Sequence, residues 1–126
     1  MSTIINTSNA PAPIGPYNQA VLAGNMLFLS GQIALDPQSG ELILTDITAE
    51  TTKVLENIKA ILTEAGLDFS HIVKTSIFLK DMGTFAQVNE IYGSYFTGNY
   101  PARETVQVAA LPKNVNVEIS VIAYKG

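Results

Sequence analysis

The sequence has no cysteine and one histidine, His71. Without thiols it has no disulfide, no thiolate nucleophile and no sulfur ligand for a metal. A single imidazole is a poor basis for a His-built zinc site or a Ser-His-Asp triad. Charge is scarce as well. Charged residues make up 14% of the 126 positions, against about 25% in ordinary soluble domains. The seven Lys and Arg are scattered, and the net charge is −4. Phosphate binding needs a basic face, so nucleic acid is not an expected partner. No apolar run approaches the roughly 20 residues that cross a bilayer. Residues 1–10 have neither the basic start nor the apolar centre of a signal peptide. Nucleotide-binding glycine motifs are missing too. The expectation is a cytoplasmic protein with no membrane partner, no metal and no cofactor.

What the chain does have is apolar mass. Apolar residues form 47% of it, and the mean hydropathy is +0.23. One domain over residues 1–126 is long enough to bury about two-thirds of its unfolded surface. The shortage of surface charge leaves room for an apolar oligomer interface.

Residues 9–16 hold Pro11, Pro13, Gly15 and Pro16, a stiff loop that delivers Tyr17 to a fixed place. From the residues alone, Tyr17 reads equally as a buried structural ring. Residues 20–29 read as a hairpin, with Gly24-Asn25 supplying positive φ. It ends at Ser30-Gly31-Gln32, where Gly31 either admits a close neighbour or simply ends a strand. A helix is expected over 49–65, with Val54, Leu55, Ile58, Ile61 and Leu62 on one stripe. Asp46 or Thr48 can cap its start, and Gly66 suits its stop. Residues 72–79 form a β-branched strand, with His71 at its entrance on the surface and given no catalytic role. A second helix is expected to open at Thr84-Phe85-Ala86-Gln87 as a capping box and run to about 96. Asn89 then lies near Phe85 and Tyr92, on the edge of the apolar stripe. Two helices among roughly six strands predict an α+β domain: a mixed sheet with both helices on one face.

The last quarter organises the rest. Val115, Val117, Ile119, Val121 and Ala123 alternate with Asn116, Glu118, Ser120, Ile122 and Tyr124. Residues 103–108 alternate too, and Pro112-Lys113-Asn114 between the runs reads as the turn of an antiparallel hairpin. With 107 opposite 118, Arg103 and Glu118 share the polar face, and Thr105 and Gln107 lie on the side away from the helices. An exposed ion-pairing face is the plain reading. A guanidinium suited to gripping a planar carboxylate is the functional one. Glu104 points away from Arg103 by strand alternation.

Pro101-Ala102-Arg103, Val106, Leu111-Pro112 and Val117-Glu118-Ile119 resemble the C-terminal signature of the reactive intermediate/imine deaminase (Rid) family. The resemblance extends to Gly15-Pro16-Tyr17, Asn25-Met26, Ser30-Gly31-Gln32, residues 72–75 and residues 85–89. It implies hydrolysis of reactive 2-imino acids such as 2-iminobutanoate and 2-iminopropanoate. It also implies a chorismate-mutase-like fold, assembled as a homotrimeric barrel with sites in the clefts between subunits. Carried onto this chain, it implies Arg103 as the carboxylate grip and Glu118 as the residue handling water. Tyr17, Ser30, Gly31 and Asn89 become substrate-binding residues. A trimeric protein that binds small carboxylates without turnover stays open beside the enzyme, separable by assay of Glu118→Gln. Ribonuclease or translation-inhibitor activity, attributed to relatives, is the reading that the acidic charge favours least.

Overall fold

A computed structural model describes residues 2–126. Among these residues six strands form one sheet: β1 (Ser2–Ile5), β2 (Ala20–Ala23), β3 (Met26–Leu29), β4 (Ile72–Leu79), β5 (Ala102–Gln107) and β6 (Val117–Tyr124). Their spatial order is β1-β2-β3-β6-β4-β5. Every neighbouring pair is antiparallel except β4 with β5. Helices α1 (Ile47–Glu64) and α2 (Phe85–Gly93) complete an α+β domain with a mixed sheet.

The apolar stripe explains α1. Val54, Leu55, Ile58, Ile61 and Leu62 are buried against Val117, Ile119, Val121 and Ala123 of β6 and Ile77 and Leu79 of β4. Asp46 caps the helix by accepting from the Ala49 amide at 2.7 Å. Gly66, just beyond the end, has φ +77°, a conformation costly for other residues. The fully buried Glu50 ties α1 to the start of β6. It accepts from the Asn116 backbone and side chain at 2.7 Å each and from the Val117 amide at 3.1 Å.

The chain departs from the expected hairpin in its last quarter. β5 and β6 are not neighbours: β5 lies parallel to β4 on the sheet edge, and β6 enters between β3 and β4. Burial accounts for this choice. Val117, Ile119, Val121 and Ala123 are all buried, so β6 takes a central position paired on both sides. β5 carries Arg103, Glu104 and Gln107, groups that an edge leaves near water. Residues 108–116 are therefore a crossover, and Lys113 and Asn114 turn it with φ of 54° and 56°.

Three smaller expectations change. In the β2–β3 hairpin only Gly24 takes a positive φ, +61°, and Asn25 does not. Thr84 makes no capping bond with its side chain; it ends a 3₁₀ turn, Met82–Thr84, whose Gly83 amide donates to the Asp81 carboxylate at 2.8 Å. α2 stops at Gly93 rather than near 96. The strand over 72–79 stands as read, whereas β1 falls in a stretch whose residue pattern announces no element.

Both helices cover the sheet face that carries Leu27 of β3, Ile119 of β6, and Thr75 and Ile77 of β4. The other face is bare and mixed: Phe28, Val106 and Tyr124 stand exposed there, beside the Lys74–Glu104 ion pair.

Candidate active site

Register decides where the two charged candidates point. Arg103 sits opposite Thr75, and Thr75 opposite Val121, so Arg103 is on the helix side. Glu118 sits opposite Phe78, on the bare side. The expected shared face is therefore wrong, because the hairpin register behind it does not exist. Thr105 and Gln107, opposite Ile77 and Leu79, also lie on the helix side. Two strand spacings and three residues separate Arg103 from Glu118, roughly 14 Å between backbones. The chain holds the two candidates in separate clusters, written below as two candidate half-sites.

The first half-site is built by β5 and α2. Arg103 Nη1 donates to Asn89 Oδ1 at 2.7 Å. Its guanidinium carbon lies 5.2 Å from the Tyr92 ring centre and 5.6 Å from that of Phe85. Phe85, Asn89 and Tyr92 follow one another at i+4 and i+3 on α2, so one helix face makes the whole cradle. Such cation–π contacts contribute about 0.5–1 kcal/mol each at exposed sites. Beneath them, the Tyr92 hydroxyl donates to Thr75 Oγ1 at 2.9 Å. Burial raises the Tyr92 pKa, against the lowering effects of Thr75 and Arg103, so the phenol keeps the proton it donates. Among the described residues Arg103 has no carboxylate partner. It is a planar cation fixed from below, with donors of its fork still free.

Glu104 does not quench it. Its carboxylate lies on the bare face, 2.8 Å from Lys74 Nζ and hydrogen-bonded to Ser76 Oγ, and these two partners lower its pKa.

The second half-site is where the chain leaving β3 crosses β6. Gln32 and Ile119 exchange both backbone bonds, at 2.8 and 3.1 Å. That bridge sets Gly31 against Glu118. A carbon added at Gly31 would stand 2.8 Å from the Glu118 carboxyl carbon and closer still to Oε2. Only glycine leaves the carboxylate its position. Glu118 makes no side-chain hydrogen bond or ion pair among the described residues, and burial raises its pKa. It is a half-buried, unpartnered carboxylate with increased proton affinity.

Tyr17 and Ser30 flank this half-site. Tyr17 is exposed, with its ring against Gly15. With Gly31, Gln32 and Lys113 it lines a small pocket of about 50 Å³. The Ser30 hydroxyl donates to the Asn18 carbonyl at 2.6 Å, which fixes the approach to Gly31. His71 is occupied elsewhere: its Nδ1 accepts from the Asp68 amide at 3.1 Å, closing a cap.

Residues 7–125 match the family described as Endoribonuclease L-PSP. A RutC family protein of Pyrococcus horikoshii is 53% identical, covering 99% of each chain. The rat protein named 2-iminobutanoate/2-iminopropanoate deaminase is 50% identical over 98% of this chain and 90% of its own. The crystal structure of Escherichia coli TdcF with bound serine superposes with a TM-score of 0.94 at 45% identity, covering 98% of this chain and 99% of that one. The chain belongs to the endoribonuclease L-PSP family, that of the Rid proteins.

Its Rid fold brings Arg103 together with Asn89, and Glu118 together with Gly31. It does not bring the two pairs together within one chain. The aromatic shelf of Phe85 and Tyr92 under Arg103 was not anticipated as part of the site, although the spacing around Asn89 carried the signal. Also unanticipated was a groove of about 690 Å³ beside Arg103, lined by Asn89, Glu90, Tyr92, Gly93, Tyr100 and Pro101.

Proposed function

We propose that this Rid protein hydrolyses reactive 2-imino acids, 2-iminobutanoate and 2-iminopropanoate among them, and their enamine tautomers, to 2-oxo acids and ammonia. The observation that carries the reading is a pair of charged groups with no ion-pair partner among the described residues: a cation held flat by Asn89 at Arg103 and a carboxylate of raised pKa at Glu118. Relatives named as deaminases at half identity support it. In the cell this is disposal of a damaging metabolite. Its setting is the cytoplasm; among the described residues no helix is long and apolar enough to cross a membrane.

The chemistry divides between the half-sites. Arg103 takes the substrate carboxylate through two parallel hydrogen bonds, each contributing about 1.5–3 kcal/mol. Asn89, Phe85 and Tyr92 hold the fork for that task. Glu118 accepts a proton from water as the water oxygen bonds to C2 and the C=N electrons move to nitrogen. The same proton then passes to nitrogen, and as the C–N bond breaks the C2 hydroxyl returns its proton to Glu118, so that the carbonyl forms and ammonia leaves. Glu118 in its charged state also favours the protonated iminium, the more electrophilic form. The Gly31 backbone, Ser30 and the Tyr17 hydroxyl supply hydrogen bonds to water or substrate. Nothing in this sequence of steps calls for a cofactor or metal.

Because the two half-sites face opposite sides of one sheet, a working site takes Arg103 and Asn89 from one copy and Glu118 and Gly31 from the next. A homotrimer closed over the bare sheet face generates three such sites. The exposed Phe28, Val106 and Tyr124 are the apolar surface such a closure buries. The net charge of −4 speaks against RNA as substrate despite the endoribonuclease label.

The test generates 2-iminopropanoate in situ with an amino-acid oxidase beside semicarbazide, and follows pyruvate against the trapped semicarbazone. The protein is expected to divert imine to pyruvate. Unchanged trapping at micromolar protein refutes the enzyme reading, and retained binding of 2-oxobutanoate in that case supports a carboxylate-binding protein instead.

A further inference from the structure

A second pocket lies on the helix side of the sheet, with a volume of about 440 Å³, within the range of sites that hold small molecules. Its walls are Lys59 of α1, Asp68 with the 3₁₀ turn it caps (Phe69–His71), and residues 95–99 beyond α2. No strand contributes to it, so a closure over the bare sheet face leaves it open. It shares no residue with the groove beside Arg103. Between the pocket and that guanidinium come the rings of Phe96 and Tyr92, 4.9 Å apart.

In a chain short of charge, this pocket has one of each sign. Lys59 and Asp68 both border it, yet they form no ion pair with each other. Lys59 has no carboxylate partner among the described residues. Asp68 is fixed in place: its Oδ1 accepts from the Ser70 amide at 2.9 Å and from the Ser70 hydroxyl. Those bonds lower its pKa and keep it ionised at neutral pH. None of its hydrogen bonds among the described residues uses Oδ2. The floor is aromatic. The Phe69 ring, itself buried, lies 5.1 Å from that of Tyr95 and 5.5 Å from that of Phe96. Tyr95 is pinned by donating to Glu56 at 2.6 Å. Gly98 and Asn99 shape the far wall as a left-handed turn, with φ of 110° and 48°.

We propose that this pocket binds a free α-amino acid with an apolar side chain, at a site separate from the one built on Arg103. Lys59 takes the carboxylate and Asp68 Oδ2 takes the ammonium, both through charge-assisted hydrogen bonds. The side chain lies on the Phe69 and Phe96 rings. A fixed anion and an unpaired cation, held apart over an apolar floor, match a zwitterion and leave an ordinary acid or amine half-satisfied.

The probe is L-phenylalanine, titrated by calorimetry into the full-length Arg103→Ala protein, where the other carboxylate grip is absent. Amide shifts of Ser70, Gly98 and Asn99 report where it binds. Binding is expected to persist in that protein and to move those three amides. Lys59→Met keeps a helix-forming stem, and Asn at position 68 still caps the turn. In the Arg103→Ala background, Lys59→Met and Asp68→Asn are each expected to weaken phenylalanine severalfold, with a melt as control. 3-Phenylpropanoate, which has no ammonium, and phenethylamine, which has no carboxylate, should bind more weakly than phenylalanine. Binding to wild type that vanishes in Arg103→Ala would place the amino acid at Arg103 and overturn the proposal. So would binding that neither Lys59→Met nor Asp68→Asn weakens, or no phenylalanine binding to either protein at millimolar concentration.

Discussion

Replacing Gly31 with alanine separates the placement of Glu118 from the stability of the fold. The new carbon would lie 2.8 Å from the Glu118 carboxyl carbon and 3.1 Å from its Cγ, where carbon atoms rest comfortably at about 3.5–4.0 Å. The carboxylate must therefore retreat by about 1 Å. Gly31 has no positive φ, so the backbone accepts alanine, and the displaced group is the half-exposed end of a flexible side chain. The stability loss is expected to stay below about 1 kcal/mol. Turnover is less forgiving, since a shift of about 1 Å in a reacting group can cost about 100-fold, equivalent to about 2.7 kcal/mol. The assay is kcat and KM for 2-iminopropanoate beside a thermal melt. The variant is expected to melt within a few degrees of wild type, bind 2-oxobutanoate normally and lose kcat about 100-fold. In a Glu118→Gln background the same change should cost little more, because both act through one group. Wild-type kcat in Gly31→Ala, or a full additional loss in the Gln background, refutes the role given to the Gly31–Glu118 contact.

Arg103→Ala is expected to lose deaminase activity by about 10²–10³, and Arg103→Lys to recover little of it, because a point charge does not replace the planar fork; steady-state kinetics with a melt as control check both. Glu118→Gln is expected to lose turnover while binding 2-oxobutanoate at least as tightly as wild type, measured by calorimetry. Burial raises the folded-state pKa of Glu118 above its usual 4.5, so the folded form holds this proton more tightly than the unfolded one. That stabilisation is present below the unfolded pKa and lost as pH rises through the folded one. Glu118→Gln should then melt no lower than wild type at pH 7, and its relative standing should worsen below about pH 4; a clear loss at pH 7 contradicts the assignment. Glu50→Gln replaces one oxygen by a donor facing the Asn116 and Val117 N–H groups, so urea denaturation is expected to show a loss of about 1–3 kcal/mol.

The parts legible in the sequence were those fixed by contacts within a few residues. The run over 72–79 is β-branched and became β4 unchanged. The stripe from Val54 to Leu62, with Asp46 before it and Gly66 after it, fixed α1 to within two residues. Asn89 reads correctly as a neighbour of Phe85 and Tyr92 because helical spacing makes it one. What failed needed pairing information. Alternation tells which residues of one strand share a face, not which strand lies alongside. Pro112-Lys113-Asn114 has the letters of a hairpin turn but bends a crossover, and that difference moves Arg103 and Glu118 to opposite faces. Thr84 carries the letters of a capping box, but the turn at Asp81 starts the helix first, and Thr84 falls outside the capping geometry. The Gly31–Glu118 contact joins positions far apart in the chain, and no local pattern announces it.

The central claim is that Arg103 of one copy works with Glu118 of the next. Co-expression of Arg103→Ala and Glu118→Gln chains, differently tagged and purified as mixed oligomers, tests it directly. Each variant alone is expected to be nearly inactive. Whichever chain is present twice, a mixed trimer has one of its three sites with Arg103 from the Gln-variant chain and Glu118 from the Ala-variant chain, so about a third of wild-type activity should return. Mixed oligomers no more active than the two parents would contradict a site shared between copies.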